Sequence, residues 1–244
     1  MLEWYYKNGV KNSFTNIYSN VSKKSQDSNL IFLDADNKTQ AKNSIFELPS
    51  VNLNEVKTLK ELKKLIILDC DCLLKKTAKN IVFSDGNAQS NIMFIGEAPG
   101  EVEDKTGLPF KGEAGKLLDR MLNAIELNRE NTYLTNIIFW RPPGNRKPTE
   151  EEIKACLPYV KKHIEIINPK ILVLVGATAA RAILNIHSGI TQIRGKWQYI
   201  ETKNTKKLKS MAIFHPAFLL RQPSRKREAW EDLKKIKIEI DTST

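Results

Sequence analysis

Cysteine is scarce in this chain: Cys70, Cys72 and Cys156 are the only three in 244 residues. That is too few for a disulfide framework and is in keeping with a reducing interior. No apolar run approaches the roughly 18 residues of a membrane span. The opening MLEWYYKNGVKNS has no apolar signal-peptide core. A cytoplasmic protein with no membrane partner is expected. The glycine-rich stretch GEAPGEVEDKTGLPFKGEAGK also lacks the Lys-Ser/Thr ending of a Walker phosphate loop.

What the chain has in excess is positive charge. Thirty-nine Lys and Arg against 28 Asp and Glu give a net charge of +11, which favours a polyanion such as nucleic acid, because cations release counterions condensed on a phosphate backbone. The bland alternative is a compositional bias toward Lys, Asn and Ile. At 41% hydrophobic content, one folded domain plus an appendage is expected. Residues 1–50 read as an N-terminal extension: a short aromatic segment around Trp4, Tyr5 and Tyr6, then a Ser-, Asn- and Lys-rich stretch too polar to offset its ordering entropy. This stretch is expected to be a largely disordered tether, with the folded domain spanning 51–244.

Within that domain the hydrophobic period alternates between strand and helix. Leu59, Leu62, Leu65 and Ile66 recur at helical spacing. Strands are predicted at 91–96, 132–138, 170–176 and 211–216, and helices near 114–125, 149–167 and 178–184. The strand runs are continuously apolar, as in strands covered on both faces. The expected architecture is α/β: a three-layer αβα sandwich around a mostly parallel four-stranded sheet.

In such sheets the ligand crevice lies beyond the carboxyl ends of the strands. Three loops should therefore converge there. The first carries Gly96, Glu97, Ala98, Glu103, Asp104 and Phe110; its glycines allow close backbone approach to a ligand, and its acids suit a polarised water or a cation. The second opens at Asn136, whose amide offers one donor and one acceptor side by side, the pattern that reads a pyrimidine edge; capping a turn is the competing role. The third, HPAFLLRQPSRKREAW, sets His215 at a strand end. Phe218, Leu219 and Leu220 follow among Arg221, Arg225, Lys226 and Arg227, which resembles an apolar wedge held within phosphate-binding cations. Arg194 and Lys196 add charge in a glycine-bounded turn. The end of the fourth strand, GATAARAIL, reads as a helix start capped by Thr178.

These stretches, with RPPGNRKPTEEEIKAC and IRGKW between them, resemble the uracil-DNA glycosylase superfamily, and within it the iron–sulfur group called family 4, over about residues 69–236. The resemblance implies a repair enzyme that flips uracil from single- or double-stranded DNA and hydrolyses its glycosidic bond, working as a monomer with no cofactor in the chemistry. Gly96, Glu97 and Ala98 would form the uracil pocket, Phe110 would stack on the base and Asn136 would read it. His215 would stabilise the departing anion, and Glu103 or Glu97 would position the water. Glu103 also stands where the pocket would crowd a thymine methyl. Arg141, Arg194, Lys196, Phe218, Leu219 and Arg221 would contact DNA.

The resemblance also implies a [4Fe–4S] cluster on four cysteines. Here Cys72 and Cys156 match two ligand positions, while Asp69, with Cys70 beside it, and Trp140 occupy the others. An indole cannot ligate iron, so the expectation is that Trp140 and its neighbours fill the volume instead. Competing readings are a broader deaminated-base glycosylase of the family 5 kind, a uracil-DNA binding or product-trapping protein without turnover, and a polymerase-linked accessory protein.

Overall fold

The computed structural model describes residues 52–204 and 207–243. The expected tether at 1–50 lies outside the described residues.

The chain enters through α1 (Leu59–Asp69), capped by a reciprocal pair in which Thr58 and Glu61 satisfy each other's backbone N–H. The sheet has six strands: β1 (Asp85–Gly86), β2 (Ile92–Gly96), β3 (Tyr133–Asn136), β4 (Ile171–Val175), β5 (Trp197–Ile200) and β6 (Leu208–Ile213), in the order β1-β3-β2-β4-β6-β5. The four predicted strands form its parallel centre. Two antiparallel edge strands, β1 and β5, exceed the expected four. β1 has only two residues and β5 is half-exposed, so neither carries the continuous apolar run of a buried strand.

Alternate strand residues feed opposite faces. Met93, Ile95, Leu172 and Leu174 pack with α1, α4 (Glu150–Ile167) and α5 (Ala177–Leu184). Phe94, Val173, Val175 and Ile213 pack with α3 (Glu113–Asn123), α7 (Pro216–Arg221) and α8 (Lys226–Ser243). The expected three-layer sandwich is present. Two short helices complete it, α2 (Glu101–Thr106) and α6 (Ile190–Ile193). α2 lies within the stretch read as a glycine-rich loop, where the bounding Gly100 and Gly107 conceal one and a half helical turns.

One expectation about a cap is corrected. Gly176, not Thr178, is the N-cap of α5, and Thr178 is the second residue of the helix, its hydroxyl turned toward β2. The chain leaves β2 toward β3 on one side and later leaves β4 toward β6 on the other. The crevice between β2 and β4 is therefore the topological switch point of the sheet, the place where such folds bind ligands.

Candidate active site

The carboxyl ends of β2, β3, β4 and β6 bring four predicted residues together. Gly96 ends β2 beside Asn136 at the end of β3, and the two are in register. A Cβ built on Gly96 would fall 2.4 Å from Asn136 Oδ1 and 2.5 Å from Phe110 Cζ. Only glycine lets the amide and the aromatic ring come this close to one strand end. Phe110 in turn lies near His215, with ring centroids 6.3 Å apart and planes 29° from parallel.

Asn136 is 2% exposed and its amide makes no hydrogen bond with the described residues; its polar atoms keep a sliver of contact with the crevice, and the one fully buried unpaired side-chain polar atom among the described residues is His163 Nδ1. The turn-capping role has no hydrogen bond behind it here. The amide thus stands unengaged close to the ring of Phe110 at the mouth of the crevice.

His215 is the N-cap of α7, and its Nδ1 accepts the backbone N–H of Ala217 at 3.1 Å. Burial holds the imidazole below the usual histidine range; Glu97 pulls it back up, and Arg221 depresses it further. With Nδ1 an acceptor, the neutral ring carries its proton on Nε2, which has no partner among the described residues. The site thus holds a neutral N–H donor in a buried setting.

The two candidate carboxylates differ. Glu103 Oε1 accepts the backbone N–H groups of Lys111 (2.8 Å) and Gly112 (2.7 Å), and Oε2 accepts that of Gly100 (3.0 Å). These bonds tie both ends of the first loop to one buried side chain. A carboxylate so engaged serves as a scaffold for the loop. Asp104 is similarly engaged, its Oδ1 accepting the N–H groups of Lys79 and Asn80. Glu97 keeps one oxygen open, while Oε2 accepts the hydroxyl of Thr178 across the β2–β4 crevice. The half-buried Ala98 follows it on the same loop. This contact of Thr178 is invisible to pattern reading, because a threonine after a strand-ending glycine has the pattern of a helix cap.

The predicted DNA contacts divide. Lys196 and Arg221 are exposed, and Phe218 is half-buried against Phe214 with centroids 4.9 Å apart. Arg141 is half-buried and donates to Asn145 Oδ1 at 2.8 Å on the RPPGN turn. Two expectations are corrected. Leu219 is 1% exposed and belongs to the core, whereas Leu220 is 42% exposed and is the available apolar side chain. Arg194 is not free for phosphate: it binds Asp232 at 2.7 Å and 2.5 Å, reaches Glu228 at 3.4 Å and stacks on Phe214 at 5.0 Å.

On the opposite face of the sheet the three cysteines are buried with Trp140, itself 4% exposed. Cys70 Sγ lies 3.9 Å from Cys156 Sγ and also faces the carbonyl of Ala155 at 3.6 Å. The two neighbouring thiols and burial push the Cys156 thiol well up. Asp69, at the first ligand position, accepts the hydroxyl of Tyr159 at 2.7 Å. The four ligand positions therefore hold Asp69, Cys72, Trp140 and Cys156, with the Cys70 thiol alongside: an engaged carboxylate, two thiols and an indole. This set does not fit a four-thiolate [4Fe–4S] cluster.

A sequence model of the Uracil DNA glycosylase superfamily matches residues 83–234. The chain belongs to the uracil-DNA glycosylase superfamily. It is 43% identical over 175 residues to the type-4 uracil-DNA glycosylase of Archaeoglobus fulgidus, covering 70% of this chain and 87% of that protein. It is 41% identical over 188 residues to the type-4 uracil-DNA glycosylase of Sulfurisphaera tokodaii, covering 74% and 84%. A third type-4 uracil-DNA glycosylase, from Thermotoga maritima, is 42% identical over 169 residues, covering 68% and 86%. The matched region of the superfamily runs from just before β1 into α8 and includes every residue of the crevice. A cleft of about 450 Å³, lined by polar residues such as Asn87, Ser90 and Lys170 and by Ile92, Leu127 and Ile171, lies at the amino-terminal ends of the strands, on the side away from this site.

Proposed function

We propose that the chain is a monomeric uracil-DNA glycosylase that takes uracil out of single- or double-stranded DNA and hydrolyses its glycosidic bond, leaving an abasic site. The single observation that carries this reading is Asn136: a 2%-exposed residue whose amide has no hydrogen-bond partner among the described residues, beside the ring of Phe110 and a strand-end glycine. Stacking between uracil and Phe110 would hold a flipped base, and the amide would pair with O4 and N3–H. In cytosine those two groups reverse their hydrogen-bonding sense, so the same pocket would bury two mismatched pairs.

Bond cleavage leaves the sugar with oxocarbenium character and uracil as an anion. His215 donates from Nε2 to the uracil oxygen that gains charge, and a neutral donor keeps this hydrogen bond without a buried cation. Glu97, oriented by Thr178, holds the attacking water and faces the developing positive charge on the sugar. The hydroxyl of that water adds to the sugar carbon as the bond to the base breaks; its proton leaves through Glu97. Lys196 and Arg221 contact the backbone phosphates, with Leu220 presented beside them.

The scaffold works without a cluster in this reading. Trp140 and the three thiols fill the family's metal volume as ordinary core, which avoids the cost of a cavity. An assay on oligonucleotides containing a single uracil, with cytosine, thymine and hypoxanthine controls, tests the assignment. Alkali-labile sites at uracil alone are expected. No cleavage, or an adduct that survives denaturation, would favour a binding or trapping protein instead.

A further inference from the structure

Phe110 adopts φ 56°, a left-handed backbone that an aromatic residue rarely takes. Such a conformation persists only where the surroundings over-determine it. Central among the surroundings here is Arg129, in the turn between α3 and β3. Its guanidinium donates to the carbonyl of Phe110 and to that of Pro109 at 3.1 Å. The same group binds Asp119 of α3 at 3.0 Å and Asp85 of β1 at 2.5 Å, and Lys111 joins Asp85 at 2.8 Å. From the other side, Gly115 lets α3 approach so closely that a Cβ there would fall 1.9 Å from the Phe110 carbonyl oxygen.

We propose that Arg129 is a positioning residue for base excision: it holds the backbone of Phe110 in the conformation that aims the ring into the uracil site. This rests on the reading of Phe110 as the stacking platform. Arg129 itself touches no reacting atom. Its planar fork suits the task, since two carbonyls and two carboxylates approach from different directions and an ammonium cannot meet them in one plane. The bracket also explains a two-residue strand: β1 brings Asp85 to the guanidinium.

The test combines a kinetic cycle with a spectroscopic one on the full chain. Arg129→Gln should lower kcat/KM on uracil-containing DNA by roughly 10- to 100-fold, the scale of a misplaced binding group. In a Phe110→Ala background the same substitution should change it by less than about threefold, because coupled residues are not additive. Arg129→Lys should fail nearly as badly as Arg129→Gln. Asp119→Asn, which leaves the carbonyl contacts in place, gives a milder variant that is expected to fold. For the second arm, para-fluorophenylalanine at position 110 should give one sharp fluorine NMR line that shifts or broadens in the Arg129 and Asp119 variants, while the same label at Phe94 stays put. Additive losses, full rescue by lysine, or an unmoved line at position 110 would overturn the proposal. If the parent protein fails to excise uracil, the assignment of function falls, and the fluorine comparison alone decides whether Arg129 holds Phe110.

Discussion

The Nδ1 of His215 accepts the backbone N–H of Ala217 at 3.1 Å, and this bond leaves the proton of the neutral ring on Nε2. An imidazolium would have to aim a second N–H at that donor, and burial already disfavours the charged form. Excision is therefore expected to stay level as the pH falls from about 7.5 to about 6, through the ordinary histidine range. A loss of kcat that titrates near pH 6.5 would contradict a neutral donor. The fold should respond differently. His163 is fully buried, stacked on Phe83 and bonded to the Tyr133 hydroxyl at 2.6 Å, and burial pushes its pKa down to about 3. Both depressed histidines take up a proton more readily in the unfolded chain, so stability falls as the pH drops below about 6.5. For His163 that loss reaches about 3 kcal/mol near pH 4. Urea titrations at several pH values measure it, and His163→Gln should flatten the acid limb.

Thr178 bridges the switch point to Glu97. Thr178→Val keeps the shape and removes the donor. It should lower kcat about 10-fold with KM little changed, as for a group that orients a water-holding carboxylate. Thr178→Ser should restore most of the rate. A valine variant with wild-type kcat would remove Thr178 from the machinery.

Glu103 is expected to behave as scaffold. Replacing it with alanine leaves the N–H groups of Gly100, Lys111 and Gly112 without their shared acceptor. Each buried unsatisfied donor costs about 1–3 kcal/mol, so a marked drop in Tm should accompany any loss of activity. A Glu103→Ala protein with unchanged Tm and abolished turnover would instead return it to the reaction.

The centre of the fold was legible because parallel strands buried on both faces must be apolar throughout, and IMFIG and ILVLV are. The edges were not: Trp197–Ile200 is half-exposed, and Asp85–Gly86 is too short to have a period. Gly96, Asn136 and His215 could be named from residue type at strand ends, and Phe110 as the one aromatic of the first loop. Partners were hidden wherever they come from distant sequence. Arg194 reads as a free cation until Asp232, 38 residues later, closes on it. Leu219 and Leu220 are chemically alike, and only the rotation of α7 decides which is core.

The volume around Trp140 gives a prediction about metal. Protein purified from iron-replete cells without oxygen should be colourless, and chelators should leave excision unchanged. Trp140→Ala should cost about 3–5 kcal/mol, as for a large buried side chain. Stoichiometric iron with a broad visible iron–sulfur absorption would overturn this account of the core.

The most direct test is single-turnover excision from a uracil-containing oligonucleotide by the parent protein, Asn136→Asp and His215→Asn. The asparagine at 215 can still cap α7 but sets no donor where Nε2 stood. The parent should release uracil, and both variants should be slower by roughly 100-fold or more at unchanged Tm, since each removes a polar contact made to the reacting base. Equal rates for all three proteins would contradict the assignment of this crevice as the uracil site.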